Sequence, residues 1–187
     1  LDEEIVYRYN DKEYIDYKER KLTMDQIKAL EKIEKSDKNM FLLKGVTGSG
    51  KTEVYMKLVS DTIAEGKCAI VLVPEISLTP QMIERFKGRF GREVAVFHSK
   101  LSDGERYDEW FRVKEGKAKL IIGARSALFL PAPKLGIIII DEEHEGTYKS
   151  EQNPKYATRE VAEFLSEIKD CKVILGSATP SIETYYR

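Results

Sequence analysis

A loop of eight residues carries the clearest chemistry in the sequence: Gly45-Val46-Thr47-Gly48-Ser49-Gly50-Lys51-Thr52. Its spacing is the G-x-x-x-x-G-K-[ST] pattern of a phosphate-binding loop. Successive backbone N–H groups of such a loop can cradle phosphates, and the positive end of the following helix adds to the attraction. We therefore expect a nucleotide site formed by the glycines, Thr47 and Ser49, with Lys51 on the β- and γ-phosphates and the Thr52 hydroxyl on Mg²⁺. A glycine-rich turn that contains GKT by chance is the alternative.

An acidic group, Asp141-Glu142-Glu143-His144, directly follows the apolar run over residues 136–140. A carboxylate in that place can hold a Mg²⁺-bound water, and we assign this role to Asp141. Glu142 is the candidate to orient and deprotonate an attacking water, which predicts a hydrolase. A solvated acidic loop is the alternative.

His144 and two hydroxyl residues are expected to connect the elements around the acidic group. No second His or Cys lies at ligand spacing from His144, so we expect it to link the metal site to another element instead of binding a metal. An ordinary loop histidine is the alternative. Ser177 and Thr179 follow the last apolar run, where they could bond to Asp141 or His144, or cap a helix that begins at Pro180.

Short apolar runs that alternate with segments of helical spacing must position these groups. The strand-like runs lie at residues 40–43, 68–73, 94–97, 119–123, 136–140 and 172–175. This alternation predicts an α/β fold with a mostly parallel sheet and helices on both faces. Ligands of such sheets bind at the carboxyl ends of the strands, where the phosphate loop and the acidic group both fall.

The composition restricts the kind of protein. A chain of 187 residues with 42% hydrophobic residues can bury one substantial core. Its formal net charge of −1 provides no global basic field, so binding of nucleic acid must be local and sensitive to salt. Cys68 and Cys171 stand at the starts of apolar runs and are expected to be buried reduced thiols. No apolar run approaches the ~20 residues that span a bilayer, and we expect a cytoplasmic protein.

The first residues differ from the rest in composition. Residues 1–21 are dense in charge and tyrosine, so we expect an arm or linker from a preceding domain, with stacking of its tyrosines on bases as the alternative. The sequence begins at Leu1, which suggests a piece of a longer chain. Thr23 is a plausible helix N-cap, and Gln26, three residues later, fits a capping box.

Six longer stretches resemble one family of helicases. They are GVTGSGKTEVYM, VLVPEISLTPQ, FHSKLSDGERYDEW, GARSALFLP, DEEHEGTYKSEQNPKYATREVA and LGSATPSIETYY. The order of the phosphate loop, DEEH and SAT resembles the first lobe of superfamily 2 helicases. Over residues 22–187 the stretches resemble the primosomal protein N′ family, the bacterial replication-restart DNA helicases.

The resemblance implies a function for residues 22–187. They would form a RecA-like, ATP-binding lobe of a helicase that unwinds forked DNA with 3′ to 5′ polarity in replication restart. A P-loop nucleotide or small-molecule kinase and a non-catalytic module that positions DNA are the rival hypotheses. DEEH and SAT favour water as the phosphoryl acceptor, which argues against the kinase.

The resemblance also implies roles for individual residues. Gln26 would read the adenine edge. Contacts with DNA would come from three segments, namely Pro74, Glu75 and Ser77, then Arg125 and Ser126, then Tyr148, on which a base would stack. A surface salt bridge for Arg125 and an ordinary loop aromatic for Tyr148 are the alternatives. Ala124 stands where a TRSA-like motif would have Thr.

Other parts of the family pattern are missing from this sequence. They are a second ATPase lobe with an arginine finger, a cysteine-rich insert that binds zinc, and N-terminal DNA-binding domains. An arginine finger is worth roughly 10³ to 10⁵ in turnover, so we expect this chain alone to hydrolyse ATP poorly. The expected partners are single-stranded and forked DNA, primosome proteins and single-strand-binding proteins, with no membrane and a monomeric state.

Overall fold

One parallel sheet organises the chain. The computed structural model describes residues 15–45, 48–149 and 155–178. Its strands are β1 (Met40–Lys44), β2 (Cys68–Leu72), β3 (Val94–Phe97), β4 (Leu120–Gly123), β5 (Leu135–Ile140) and β6 (Lys172–Ser177). They lie in the order β1-β6-β5-β2-β4-β3, and each pair of neighbours is parallel. The predicted α/β fold with a parallel sheet is confirmed.

Helices connect the strands and begin where the sequence supplies caps. They are α1 (Met24–Glu34), α2 (Lys51–Ala64), α3 (Pro80–Phe90), α4 (Asp103–Lys114) and α5 (Thr158–Lys169). Thr23 and Gln26 form the predicted capping box on α1, and Ser102 and Glu105 form another on α4. Within the described ranges, no helix combines the length and the apolar character that a membrane span requires.

The core lies on both faces of the sheet. Ile138 and Ile140 of β5 pack into the cluster on one face, whereas Ile137 and Ile139 pack into the cluster on the other. This division follows from the strand geometry, since successive side chains point to opposite faces. It explains why the central strands are continuous apolar runs.

Both cysteines are buried, as predicted. Burial raises the pKa of the Cys171 thiol to about 11 and also raises that of Cys68. The two thiols therefore stay protonated and unreactive near neutral pH.

The edge strand β3 is covered by side chains from α4. Glu109 Oε2 accepts a hydrogen bond from the N–H of Val96 at 2.7 Å. Arg112 lies beside Glu109 at 2.6 Å and donates to main-chain oxygens at the start of β3, among them Val94 O. The pair of buried Arg112 and half-buried Glu109 therefore occupies main-chain groups that an exposed edge would offer to another chain.

The described part of the predicted arm packs against the domain. The N–H of Tyr17 donates to Gly88 O on α3 at 3.2 Å, and the guanidinium of Arg85 lies 4.8 Å from the Tyr17 ring centroid. A Cβ on Gly88 would lie 2.3 Å from Ile15 O, so glycine permits this close approach. The assignment of residues 1–21 to a preceding domain stays a prediction.

Candidate nucleotide site at the carboxyl edge of the sheet

The phosphate-binding loop joins β1 to α2, as the motif predicts. The N–H of Gly45 donates to Ser177 O at the end of β6, at 3.1 Å. Lys51 is the first residue of α2, and its Nζ donates to Gly45 O at 2.5 Å. The ammonium therefore lies over the start of the loop. Thr52 follows in the same first turn and is half-buried.

The described glycines of the loop fit a bound phosphate. Gly48 and Gly50 have φ values of +81° and +84°, a conformation that favours glycine. Nothing lies within 4 Å of the position that a Cβ on Gly48 would take, so this side of the loop is open. Gly50 is the N-cap of α2 and places no side chain over the helix N-terminus. The positive end of the helix therefore faces the loop, beside the exposed Ser49.

Gln26 connects α1 to the phosphate loop. Its Oε1 accepts from the N–H of Thr23 at 2.8 Å, and its Nε2 donates to Gly50 O at 3.1 Å. A Cβ on Gly50 would lie 2.3 Å from Gln26 Nε2, a second reason for glycine there. The amide thus serves the capping box and the loop together. Recognition of adenine by Gln26 stays a prediction.

Asp141 lies at the end of β5, and its carboxylate accepts a hydrogen bond from a tyrosine of α2. Its N–H donates to Leu72 O at 2.9 Å, which continues the pairing of β5 with β2. Its Oδ1 accepts a hydrogen bond from the hydroxyl of Tyr55 at 2.7 Å. Burial and the Asp141 carboxylate raise the pKa of Tyr55 far above its usual value, so the hydroxyl remains a donor. The helix that begins at Lys51 is thereby joined to the acidic group.

His144 connects the acidic group to β6. Its Nδ1 lies 3.0 Å from Ser177 Oγ, and its Nε2 lies 3.5 Å from Glu142 Oε2 and 3.8 Å from Glu145 Oε1. The expected link between His144 and another element is present, and of the roles left open for Ser177 the structure shows the bond to His144. Glu142 has a φ of +51°, in the left-handed region. Ligand atoms of Glu142, His144 and Glu145 lie within 4.8 Å of one another, which the contacts of His144 with the two carboxylates explain.

The expectation that a base stacks on Tyr148 is wrong in this structure. The side chain belongs to the hydrophobic core and is only 5% exposed, so neither ring face is open to a base. Its hydroxyl donates to Leu72 O at 3.2 Å and also to Asp141 O. Thr158 Oγ1 donates to Tyr148 O at 2.7 Å. Tyr148 is therefore part of the support beneath Asp141.

Arg125 holds the loop that follows the acidic group. Its Nη1 donates to Thr147 O at 2.9 Å and to Lys149 O at 2.6 Å. Among the residues that the structure describes, Arg125 makes these main-chain hydrogen bonds and not the surface salt bridge that was the alternative. A contact between Arg125 or the exposed Ser126 and DNA stays a prediction.

The segment after β2 is tied to the segment after β3. Glu75 accepts from the N–H of Ser99 at 3.1 Å and also from its hydroxyl. These bonds lower the pKa of the Glu75 carboxyl. Pro74 is buried and Ser77 half-buried, whereas Ile76 is 85% exposed. A DNA contact of Pro74, Glu75 or Ser77 stays a prediction.

Two predicted site residues, Thr47 and Thr179, lie outside the described residues. Sequence reasoning missed Tyr55, the partner of Asp141. The available signal was a tyrosine on the apolar face of a helix, because a buried tyrosine needs a hydrogen-bond partner for its hydroxyl.

Sequence reasoning also missed a buried cluster around Glu53. The carboxylate accepts from Arg85 Nη2 at 2.5 Å, from Arg89 Nη1 at 3.3 Å and from the hydroxyl of Tyr17 at 3.2 Å. Glu53 follows Lys51 by two residues, in the first turn of α2. The cluster thus anchors the helix that begins at the phosphate loop. An acidic residue in a buried helix face was the available signal, since such a group needs cationic partners.

Known proteins resemble this chain over most of its length. The Replication restart protein PriA of Bacillus subtilis is 53% identical over 98% of this chain and 24% of its own length. That of Haemophilus influenzae is 44% identical over 89% of this chain and 23% of its own length. The chain thus spans about a quarter of these relatives. The resemblance to replication-restart helicases is confirmed.

Solved structures share the fold. RecG bound to a three-way DNA junction aligns with a TM-score of 0.65 and 25% identity, over 89% of this chain and 22% of that one. The Hef helicase domain of Pyrococcus furiosus aligns with a TM-score of 0.57 and 19% identity, over 84% of this chain and 33% of that one.

The family match agrees with the geometry of the site. The sheet brings the phosphate loop, Lys51 and Asp141 to one edge, as a helicase lobe that binds a nucleoside triphosphate requires. The family of DEAD/DEAH box helicases matches residues 23–187, nearly the whole chain. The chain therefore belongs to the DEAD/DEAH box helicase family.

Proposed function

We propose that this chain is the first, ATP-binding lobe of a DNA helicase that acts in replication restart. Residues 22–187 would form the lobe, and residues 1–21 would link it to a preceding domain. The observation that carries the proposal is the hydrogen bond from Tyr55 to Asp141, which joins the helix of the phosphate loop to the acidic group. ATP with Mg²⁺ supplies the phosphoryl group and a cation that neutralises its charge.

The residues of the chain divide the work of hydrolysis. Lys51 binds the β- and γ-phosphates, and Thr52 and Asp141 hold Mg²⁺. Glu142 orients the attacking water and accepts its proton. His144 positions Glu142 and, through its contact with Ser177, transmits a change in the position of β6 to that carboxylate. Thr179, two residues later, belongs to the same coupling segment.

Nucleotide recognition and DNA contact lie on neighbouring parts of the same edge. Gln26 contributes to adenine recognition from the start of α1. Glu75, Ser77, Arg125 and Ser126 lie on the segments after β2 and β4, where a single DNA strand would pass, with Pro74 shaping the first segment. Net charge is −1, so strand binding rests on these local contacts and weakens with salt.

The whole protein would unwind forked DNA with 3′ to 5′ polarity as a cytoplasmic monomer. Its relatives are replication restart proteins, which supports a role with primosome and single-strand-binding proteins. Zinc would be held outside this chain.

Calorimetric titration of the chain with ADP and Mg²⁺ tests the proposal. Lys51→Ala should abolish binding, because the ammonium lies over the start of the phosphate loop. Lys57→Ala is the matched control, since Lys57 lies on the same helix and pairs with Asp61 at the surface. Gln26→Ala should weaken binding of ADP more than binding of GDP. Equal affinity in wild type and Lys51→Ala would contradict the proposal.

A further inference from the structure

Tyr55 is a fully buried residue that reaches from α2 to the acidic group. It lies four residues after Lys51, about one helical turn along the helix (~6 Å). No part of its side chain is exposed, yet its hydroxyl ends at a carboxylate, 2.7 Å from Asp141 Oδ1. The partners are 86 residues apart in the sequence. The contact therefore depends on the sheet and not on local structure.

Gly176 of β6 leaves the space through which Tyr55 reaches Asp141. A Cβ on Gly176 would lie 1.7 Å from the Tyr55 hydroxyl oxygen and 3.0 Å from Asp141 Oδ1. Any side chain there would displace the phenol from the carboxylate. Gly176 also accepts from the N–H of Glu143 at 3.0 Å, which holds the acidic turn against β6. β6, the strand between β1 and β5, therefore has a glycine at the position where a side chain would block this bond.

The bond fixes one carboxylate oxygen relative to the helix of the phosphate loop. A carboxylate on a half-buried turn would otherwise rotate about its χ angles, and an unsatisfied oxygen next to a buried ring would be costly. Because α2 is a rigid element, the bond sets the position of Asp141 with respect to Lys51 and Thr52. Asp141 would need that relation to hold the cation of a nucleotide bound at Lys51 and Thr52.

We propose that Tyr55 is a positioning residue that presents the Asp141 carboxylate to the divalent cation of the bound nucleotide. The inference rests on the proposed function, since it requires a nucleotide on the phosphate loop. Tyr55 increases the gain in nucleotide affinity that the presence of the metal provides. The affinity for nucleotide without metal does not depend on it.

Calorimetry of ADP binding with Mg²⁺ and with EDTA measures this effect as the ratio of the two affinities. Tyr55→Phe keeps the ring and removes the hydroxyl, and it should lower the ratio about tenfold, as expected for losing one hydrogen bond to a charged group. Affinity in EDTA should stay unchanged. Ser166→Ala is the control, because it also removes a buried hydroxyl, but one on α5 that donates to the main-chain oxygen of Cys171 at 2.8 Å. It should lose stability and keep the ratio.

The outcomes separate this inference from the proposed function. No ADP binding by the wild type would overturn both. Equal wild-type affinity with Mg²⁺ and with EDTA would leave nucleotide binding in place and overturn the inference alone. An unchanged ratio in Tyr55→Phe, or an equal loss in Ser166→Ala, would do the same. Asp141→Asn provides an independent variant that keeps an acceptor for Tyr55. It should lose the metal-dependent gain while remaining folded, and retention of the gain would also overturn the inference.

Discussion

Replacing Glu53 by Ala should destabilise the domain more than any surface substitution on the same helices. The Glu53 side chain is 7% exposed, and the two arginines and the tyrosine that donate to it come from α3 and from the segment before α1. Removing the carboxylate therefore detaches two elements, α3 and the segment before α1, from the first turn of α2. It also leaves two guanidinium groups without their shared acceptor.

The exposure of the partners sets the size of the effect. Breaking a buried ion pair by removing one partner costs about 3–5 kcal/mol. Arg85 is 30% exposed and can turn toward water, and Arg89 keeps a second partner, Glu19, at 3.1 Å. Both facts reduce the penalty, so we expect the low end, about 3 kcal/mol. Glu53→Gln retains an acceptor oxygen and should cost about 1–2 kcal/mol.

Urea unfolding followed by circular dichroism measures the free energy of unfolding of each variant. Glu31→Ala is the control, because Glu31 pairs with Lys35 at the surface of α1 and its side chain is 55% exposed. Its loss should change stability by less than about 0.5 kcal/mol. A double-mutant cycle between Glu53 and Arg89 should give a coupling free energy of about 1 kcal/mol or more. A loss below about 1 kcal/mol in Glu53→Ala, or no coupling, would refute the reasoning.

Three further predictions concern the edge strand, a carboxyl group and a thiol. Glu109→Ala should cost about 1–3 kcal/mol in urea unfolding, because the N–H of Val96 loses its acceptor, and an unchanged stability would contradict this. Ser99→Ala should raise the Glu75 pKa toward its ordinary value in an NMR titration. In the wild type the pKa of the Glu75 carboxyl is lowered by the hydrogen bonds from Ser99. The bonds therefore stabilise the fold at pH values above the ordinary pKa of a glutamate, and this stabilisation is lost as the pH falls through the lowered pKa. Cys171 should react with a thiol reagent at neutral pH only after unfolding, since its pKa is about 11 and it is buried, and rapid labelling of the native chain would disprove this.

The fold was accessible from the sequence because its signals are local. Continuous apolar runs such as the isoleucines of β5 belong to strands buried on both faces, and the alternation with helical segments requires parallel pairing. Helix starts at Thr23, Thr79 and Ser102 were recognisable because a cap acts on residues within three positions of it. The strand order was not accessible, since periodicity does not state which strands are neighbours.

The interpretation of loop residues was the weakest, for a physical reason. Tyr148 lies in a short irregular segment with no periodicity, and its burial depends on a space beneath β2 and β5 that only the packed sheet creates. Arg125 was assigned to DNA because its segment resembles a strand contact. In the structure its Nη1 binds main-chain oxygens of another loop, a contact that no local pattern encodes, and its contact with DNA stays a prediction.

The sequence by itself determined the phosphate-binding loop, the acidic group after β5 and the parallel α/β fold. Each depends on residues adjacent in the chain, so spacing alone is sufficient to reveal it. The tertiary structure decided which groups meet: Tyr55 reaches Asp141 past Gly176, and Glu53 gathers cations from α3. These contacts arise from the order of strands and the packing of helices, and no local pattern encodes a distance between residues so far apart in the chain.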